Sequence, residues 1–385
     1  MGGPAAASFV GSAFGTPATV AAAAAADCPS TATAPATAHR TTTAGASACG
    51  GDDQLLIIVE RDRATGRVTS LADPSANRML DPDIRRLLDT VFNVPQAPGA
   101  PDVAALRAGA VSAAELLGGD PEPVAWVRND RALGPHGAVA LRIFRPGAKG
   151  SLPLLLYVHG GGWVTGNLDS HDRLCRVLAN RLDAVVVAVD YRCAPEHVFP
   201  AALDDVEAAW HWASRHASAL EADPARLMVG GDSSGGNLAA ALTMRLREQA
   251  QRQPRLQVLL YPALDATCMQ STYADFATGF NLTAAQMRWY WKVYGGDAPV
   301  HLPELSPLAH PDLAGLPPAI VVVAACDVLR GDGLAYAQRL RAAGVPTTLT
   351  DCTGTIHGFA RWTGAVPAAG RWIEQLATNA RMMMG

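Results

Sequence analysis

A serine flanked by glycines is the strongest chemical signal in this chain. Gly231, Ser233 and Gly235 form a G-x-S-x-G pentapeptide that follows the apolar run 227–229 and precedes a helical pattern. A sharp strand-to-helix turn strains the backbone at its serine and therefore needs small neighbours. The hydroxyl would lie at the helix N-terminus, where the dipole favours the negative charge of acyl transfer. We therefore predict Ser233 as nucleophile, because the alternative, Ser234, is not the central residue.

A second signal is the run of three glycines from Gly160 to Gly162, which follows His159. Consecutive glycines cost backbone entropy and suit places where main-chain N–H groups must point into a cavity. Together with the N–H of Ser234, this loop could supply three donors to an oxyanion. His159 and Gly160 are expected to support the loop, His159 through a local hydrogen bond of its ring.

A nucleophilic serine needs a base, and the base needs an acid that orients it. His357 follows the strand-like residues 347–350 and is the predicted base, while Asp327 follows the apolar run 320–324 and is the predicted acid. Asp332 is the rival acid. It lies further from the strand end, which favours a role as a helix cap or as a support for Asp327.

The elements that must position these residues alternate between strand and helix. Short apolar runs predict buried parallel strands at 154–158, 184–189, 227–229, 258–260 and 320–324. Apolar residues three and four apart predict helices at 172–182, 202–216, 236–249 and 334–343. This alternation predicts an α/β fold with a mostly parallel, doubly wound sheet.

Two regions precede this alternation. Residues 123–128 and 139–144 are expected to open the sheet as an antiparallel pair. Residues 80–117 carry two helical patterns and would cover one end of the sheet. The segment 191–205 is expected to be structural, with Arg192 and Glu196 as a candidate ion pair.

Composition excludes several classes of protein. The 385 residues carry a net charge of -4 without a basic block, which argues against nucleic acid as a partner. The 7 cysteines are widely spaced, without a C-x-x-C pair, so we expect neither a disulfide framework nor a metal site. No cofactor is signalled. No uninterrupted apolar stretch reaches the roughly 18 residues of a membrane span, so stable membrane insertion is not expected.

The chain divides near residue 78. Residues 1–50 are rich in Ala, Thr, Ser, Gly and Pro, so we interpret 1–78 as a low-complexity, disordered extension and 79–385 as the folded domain. Residues 20–26 resemble the apolar core of a secretory signal but lack its basic flank. We therefore expect a cytoplasmic location and leave secretion open. Met79 is an alternative translation start.

Five sequence blocks resemble the bacterial hormone-sensitive lipase family of carboxylesterases, which has the α/β-hydrolase fold. They are HGGGW (159–163), YRCAPEHVFPAALDD (191–205), GDSSGGNLAA (231–240), CDVLRGDG (326–333) and IHGF (356–359). The resemblance, which covers about 79–382, implies a triad of Ser233, Asp327 and His357. It also implies oxyanion donors at Gly161, Gly162 and Ser234, and a cap built from 80–117 and 276–294.

The chain departs from the family pattern near the predicted site. Ser234 stands where the family usually has Ala, Val328 where it has Pro, and Gly331-Asp332 where it has Asp-Glu. These departures leave the contacts around Asp327 open. The family resemblance implies hydrolysis of short- to medium-chain acyl esters through an acyl-enzyme, with a small-molecule ester as partner. The oligomeric state stays open, a homodimer among the alternatives.

Two other functions remain open at the sequence level. One is an amide hydrolase of the formamidase or aryl-acylamidase type, which would use the same three residues. The other is a ligand binder that has lost catalysis, as has happened to other hydrolase folds. The presence of Ser233, Asp327 and His357 argues against the binder.

Deletion of the extension up to Ala76 is expected to leave ester hydrolysis nearly unchanged, because every block of the resemblance lies beyond residue 150. The alternative is that the strand-like residues 54–60 add to a sheet edge or cover the acyl pocket. Thermal melting and turnover of p-nitrophenyl butyrate compare the full-length and truncated proteins. A melting temperature lower by more than about 5 °C would show that the extension packs on the domain.

Overall fold

The computed structural model describes residues 80–92 and 101–384. The predicted extension 1–78, including 20–26 and 54–60, lies outside the described residues, as does Met79. Eight strands form one sheet: β1 Trp126–Gly134, β2 Gly137–Arg145, β3 Leu152–Val158, β4 Val185–Asp190, β5 Ala222–Asp232, β6 Leu256–Leu260, β7 Ala319–Cys326 and β8 Thr347–Ile356. Their order is β1-β2-β4-β3-β5-β6-β7-β8.

The sheet is mostly parallel. Strands β3 to β8 are mutually parallel, whereas β2 pairs antiparallel with both β1 and β4. Strands β3, β4, β6 and β7 are buried along nearly their whole length, which is why they appear in the sequence as continuous apolar runs rather than alternating ones. The predicted α/β class and mostly parallel sheet are confirmed.

Helices cover both faces of the sheet. They are α1 Pro82–Leu87, α2 Val103–Leu117, α3 Asp172–Leu182, α4 Ala201–His216, α5 Ser234–Glu248, α6 Thr272–Asp275, α7 Ala284–Gly295, α8 Arg330–Ala342 and α9 Pro367–Met384. Helices α3 and α9 pack together, as do α4 and α5, while β7 contacts both α8 and α9. None of the helices in the described ranges has both the length and the apolar character needed to span a membrane.

The opening strand differs from its prediction. The sequence placed it at 123–128, but β1 runs from Trp126 to Gly134 and pairs with β2 along its full length. It lies at the edge of the sheet, and its middle contains the polar residues Asn129, Asp130 and Arg131. Because an edge strand buries little surface, this segment lacks the apolar pattern on which the prediction relied.

The central strands form the most deeply buried part of the domain. Leu154 and Leu156 of β3 and Val229 of β5 are fully buried, and each contributes roughly 1.5–3 kcal/mol relative to an exposed side chain. Because β3 and β5 to β8 are parallel, their carboxyl ends meet at one edge of the sheet. The loops after them can therefore bring distant residues together, as in other open α/β sheets.

Candidate active site

Ser233 lies in a sharp turn between β5 and α5. The strand ends at Asp232 and the helix begins at Ser234, so the chain reverses at a single residue. Ser233 has φ +55° and ψ −119°, a conformation that costs a non-glycine residue about 1–3 kcal/mol. Its backbone N–H donates to the Leu260 carbonyl at 2.8 Å, which ties the turn to the end of β6.

The two glycines of the pentapeptide let this turn contact the neighbouring strand. A Cβ atom would lie 2.4 Å from the Val158 carbonyl oxygen if placed on Gly231, and 2.0 Å from it if placed on Gly235. Any side chain at either position would therefore push β3 away from the turn. The small residues predicted on both sides of Ser233 are needed for this backbone contact.

Ser233, His357 and Asp327 form a hydrogen-bonded chain. His357 Nε2 lies 2.9 Å from Ser233 Oγ, and its Nδ1 lies 2.7 Å from Asp327 Oδ2. Asp327 is fully buried and also accepts the Leu329 N–H at 3.0 Å. Asn281 Nδ2 donates to the His357 carbonyl at 3.3 Å. The loops after β5, β7 and β8 therefore meet with the imidazole between the hydroxyl and the carboxylate.

Asp332, the rival acid, contacts a different loop. Its Oδ2 accepts the backbone N–H groups of Leu264 and Asp265, both at 2.9 Å. Burial raises the pKa of Asp332 well above its ordinary value, and these two hydrogen bonds oppose the rise. Asp332 thus holds the chain after β6, whereas Asp327 contacts the histidine.

The departures from the family pattern around Asp327 are accommodated by α6. Thr272 Oγ1 donates to the Val328 carbonyl at 2.7 Å and accepts the Gly331 N–H at 3.1 Å. A Cβ atom on Gly331 would lie 2.8 Å from that hydroxyl oxygen. Glycine at this position therefore allows the threonine to brace the segment that follows Asp327.

The glycine loop after β3 adopts a conformation that only glycine takes readily. Gly161 has φ +130° and Gly162 φ +61°. A Cβ atom on Gly161 would lie 2.2 Å from the Thr165 carbonyl oxygen, and one on Gly162 would lie 2.2 Å from the ring of Tyr290. Both glycines line the same cavity as Ser233. Ser234 is fully buried at the first position of α5.

His159 braces the loop locally. Its Nδ1–H donates to the Gly160 carbonyl at 3.0 Å, and its ring stacks on Tyr191 with centroids 4.2 Å apart. Burial, aided by nearby His171, lowers the pKa of His159 to about 3, so the ring is neutral at neutral pH.

Asp232 holds a buried network that the sequence analysis missed. Its Oδ1 accepts the Tyr157 hydroxyl at 2.8 Å and the Gly160 N–H at 2.9 Å, and His171 Nε2 lies 3.3 Å away. Burial would raise the pKa of Asp232, but His171, Arg361 and Tyr157 hold it below its ordinary value. The sequence did contain one signal for this network, namely a charged residue at the end of an apolar strand.

A cavity of about 180 Å³ opens above Ser233. Ala110 and Ala113 of α2, which lies within the predicted cap segment 80–117, form one wall. The remaining lining residues come from the loops and from the segment before and within α7: Gly160, Gly161, Gly162, Thr165, Gly166, Asp232, Ser233, Asn281, Leu282, Gln286, Met287, Tyr290, His357, Gly358 and Arg361.

Tyr290 lines this cavity, while its neighbour Trp291 packs inside the domain. The Trp291 ring lies 4.3 Å from that of Trp163, and Trp291 is buried. Successive residues of a helix point about 100° apart, so only one of three neighbours can face the substrate. Accordingly, neither Trp289 nor Trp291 lines the cavity that Tyr290 contacts.

The predicted ion pair between Arg192 and Glu196 is wrong. Arg192 binds Asp205 at 2.8 Å, and Glu196 instead binds Arg107 of α2 at 2.6 Å. Arg107 also donates to the Val164 carbonyl at 2.9 Å. The true partner of Glu196 comes from a cap helix that is remote in sequence, and its side chain attaches that helix to the loop beyond the glycines.

No metal site is apparent in the part of the chain that the structure describes, because no three His, Cys, Asp or Glu side chains there are grouped to hold an ion. The polar groups next to Ser233 in the cavity include the imidazole of His357 and the backbone of the glycine loop. Such an arrangement suits nucleophilic acyl transfer, in which a base activates a hydroxyl and N–H donors stabilise an oxyanion.

Comparison with known proteins identifies relatives that are named as ester hydrolases. Residues 155–361 match a protein family described by the alpha/beta hydrolase fold. The chain is 41% identical over 289 residues to the carboxylic ester hydrolase LipN of Mycobacterium tuberculosis, covering 73% of this chain and 77% of that protein. It is 36% identical over 310 residues to the carboxylesterase NlhH of the same species, covering 78% and 95%.

Solved structures that are similar to this chain are also named as an ester hydrolase and an esterase. An ester hydrolase, EH1AB1, from the metagenome of Lake Arreo is 39% identical with a TM-score of 0.74, and the match covers 78% of this chain and 98% of that one. A thermostable esterase from Pseudomonas putida ECU1011 is 33% identical with a TM-score of 0.75, covering 80% and 98%.

Proposed function

Because the chain belongs to the hormone-sensitive lipase-type family of the alpha/beta hydrolase fold and is a carboxylic ester hydrolase, we propose that it cleaves short- to medium-chain acyl esters through Ser233, His357 and Asp327. The observation that carries this proposal is the continuous hydrogen bonding from Ser233 Oγ through the imidazole to Asp327. This hydrogen bonding supports the proposal, because a nucleophilic serine needs a base and the base needs an acid that orients it.

In the first step Ser233 Oγ attacks the ester carbonyl carbon while His357 Nε2 takes the hydroxyl proton. Asp327, bound to Nδ1–H, fixes the tautomer and stabilises the imidazolium that forms. The tetrahedral intermediate collapses when His357 returns the proton to the departing alkoxide, which leaves an acyl-enzyme on Ser233. Water activated by the same imidazole then attacks the acyl carbon and releases the acid.

The negative charge of each tetrahedral intermediate would be held by backbone N–H groups of Gly161, Gly162 and Ser234. The positive φ angles of the two glycines support this role, since they turn the loop without any Cβ atom in the cavity. Ser234 begins the 15-residue helix α5, whose dipole favours negative charge at this end. The Gly160 N–H is already bound by Asp232 and is not counted among the donors.

A panel of p-nitrophenyl esters from acetate to palmitate tests the substrate class. We expect kcat/KM to be highest for the shorter acyl chains and to fall toward palmitate. The cavity of about 180 Å³ supports this expectation, because it is smaller than the roughly 300–1,000 Å³ pockets of drug-sized ligands. Highest activity on palmitate would contradict the proposed acyl preference. A matched butyranilide measures amide cleavage, and faster anilide than ester turnover would contradict the proposed ester preference.

Replacing Gly162 by alanine is expected to lower kcat/KM at least about tenfold. This loss is smaller than the one caused by removing an oxyanion donor, because the alanine keeps the N–H group and only displaces it. The new Cβ would meet the Tyr290 ring at 2.2 Å, and φ +61° is strained for alanine, so the loop must shift. Turnover of p-nitrophenyl butyrate measures the effect. Gly370→Ala is the control. Gly370 lies in helix α9, and a Cβ atom on it would have no atom within 4 Å apart from its chain neighbours and the backbone of that helix. Equal losses in both variants would count against the donor role.

A further inference from the structure

Arg361 is a cation that lines the cavity of the candidate active site. It ends the short helical turn Phe359–Arg361 that follows His357, and it lines the same cavity as Ser233. Across residues 80–92 and 101–384, its guanidinium makes no hydrogen bond or ion pair, and its Nε atom is buried. A buried guanidinium nitrogen without an acceptor costs free energy and therefore invites an acceptor from outside the chain.

Other arginines with buried side chains in this domain bind carboxylates. Arg145 binds Glu221 at 3.1 Å and Arg245 binds Glu304 at 2.7 Å. Arg361 differs from them because it lines the cavity and binds no carboxylate among the described residues. Nη2 lies 3.4 Å from the position that a Cβ atom would take on Gly358, the residue next to the proposed base.

Asp232 is an acidic residue that lines the same cavity, but its carboxylate is already engaged. The Tyr157 hydroxyl and the Gly160 N–H both donate to its Oδ1, and His171 Nε2 lies 3.3 Å from the same atom. Arg361 therefore influences Asp232 through its charge, without a hydrogen bond between them. The guanidinium, which has no acceptor in the described part of the chain, can therefore donate to a ligand in the cavity.

We propose that Arg361 binds an anionic group of the substrate, so that this esterase acts on esters that carry a carboxylate. A guanidinium offers two parallel N–H donors to a carboxylate, a geometry that is both strong and specific. Apolar lining from Leu282, Met287 and the alanines of α2 would contact the carbon chain between the two functional groups. The proposal rests on the function proposed above, because it names the substrate class of the same cavity.

Two matched pairs of esters separate charge from shape in the test, which uses the full-length protein. On the acyl side, monoethyl glutarate is compared with ethyl isoheptanoate, in which an isopropyl group replaces the carboxylate. On the alcohol side, carboxymethyl butyrate is compared with isobutyl butyrate, which carries the same replacement. Hydrolysis is followed by titration of the released acid at constant pH, and the readout is the ratio of kcat/KM for the anionic ester to that for the neutral ester.

In Arg361→Met this ratio is expected to fall about 10- to 100-fold for one of the pairs, since a charge-assisted hydrogen bond is lost. The pair that responds tells whether the anion belongs to the acyl or the alcohol part. Arg361→Lys keeps the charge but not the two parallel donors, so its ratio should lie between those of the other two proteins. Arg131→Met removes the same charge from the exposed edge strand β1, where screening should leave the ratio within about twofold.

Two results would overturn the proposal. If Arg361→Met lowers kcat/KM equally for the anionic and the neutral ester of each pair, Arg361 does not recognise the carboxylate of the substrate. Its role would then be to balance the charge of Asp232. If the ratios do not change, the anion is not bound by this residue. Melting curves check folding, and if Arg361→Met does not fold, the ratio in Arg361→Lys decides. Failure of the wild-type protein to hydrolyse either neutral ester would instead contradict the proposed function.

Discussion

Ser233→Ala is expected to lower ester turnover by about 10⁴- to 10⁶-fold while the protein stays folded. The Ser233 hydroxyl oxygen is the atom that would bond to the acyl group in the acyl-enzyme, and neither His357 nor the glycine loop can replace it. Ser233 is held in its turn by its backbone N–H, which bonds the Leu260 carbonyl, and alanine keeps that bond. The melting temperature should therefore change little. Turnover of p-nitrophenyl butyrate and a thermal melt measure the two effects separately.

Ser234→Ala is the matched control for this variant. Ser234 is adjacent and fully buried, and its proposed contribution is a backbone N–H that alanine retains. We expect less than about a tenfold loss, far below the effect of removing a nucleophile. A fluorophosphonate reagent should label the wild type and Ser234→Ala on Ser233, and should not label Ser233→Ala. If Ser233→Ala kept a tenth of the wild-type activity and Ser234→Ala did not, the nucleophile would be misassigned.

If Asp327 is the acid, Asp327→Asn is expected to lower kcat by about 10⁴-fold, the loss that this change causes in a Ser-His-Asp protease. The amide can present an N–H to His357 Nδ1, which favours the tautomer whose Nε2 already carries a proton and cannot accept one from Ser233. The side chain is fully buried, so water cannot substitute for the lost carboxylate. Turnover of p-nitrophenyl butyrate under saturation measures the loss.

Asp332→Asn provides the control, because Asp332 is an equally buried aspartate five positions later in the chain. The asparagine oxygen can still accept the N–H groups of Leu264 and Asp265, so the loop after β6 should stay in place. We expect less than about a tenfold loss of kcat, since no triad partner is removed. Similar losses in Asp327→Asn and Asp332→Asn would mean that the acid is placed wrongly.

The sequence by itself determined the local parts of the site. The turn at Ser233 needs glycines, because Cβ atoms on Gly231 and Gly235 would clash with β3. This requirement is visible in the sequence as the pentapeptide 231–235. The buried parallel strands were predictable for a similar reason, since a strand covered on both faces must be apolar throughout. The edge strand β1 was misplaced because a partly exposed strand carries no such requirement.

Only the tertiary structure decided which distant residues meet. Ser233 and His357 are 124 positions apart, and Asp327 and His357 are 30 apart, yet both pairs lie within hydrogen-bonding distance. Chain order could not separate Asp327 from Asp332, because the choice depends on which side chain the loop after β7 turns toward the imidazole. The partner of Glu196 and the position of Arg361 in the cavity were hidden for the same reason. Side-chain pairing depends on distances across the sheet and cap, and these arise only when the strands align and the helices pack over them.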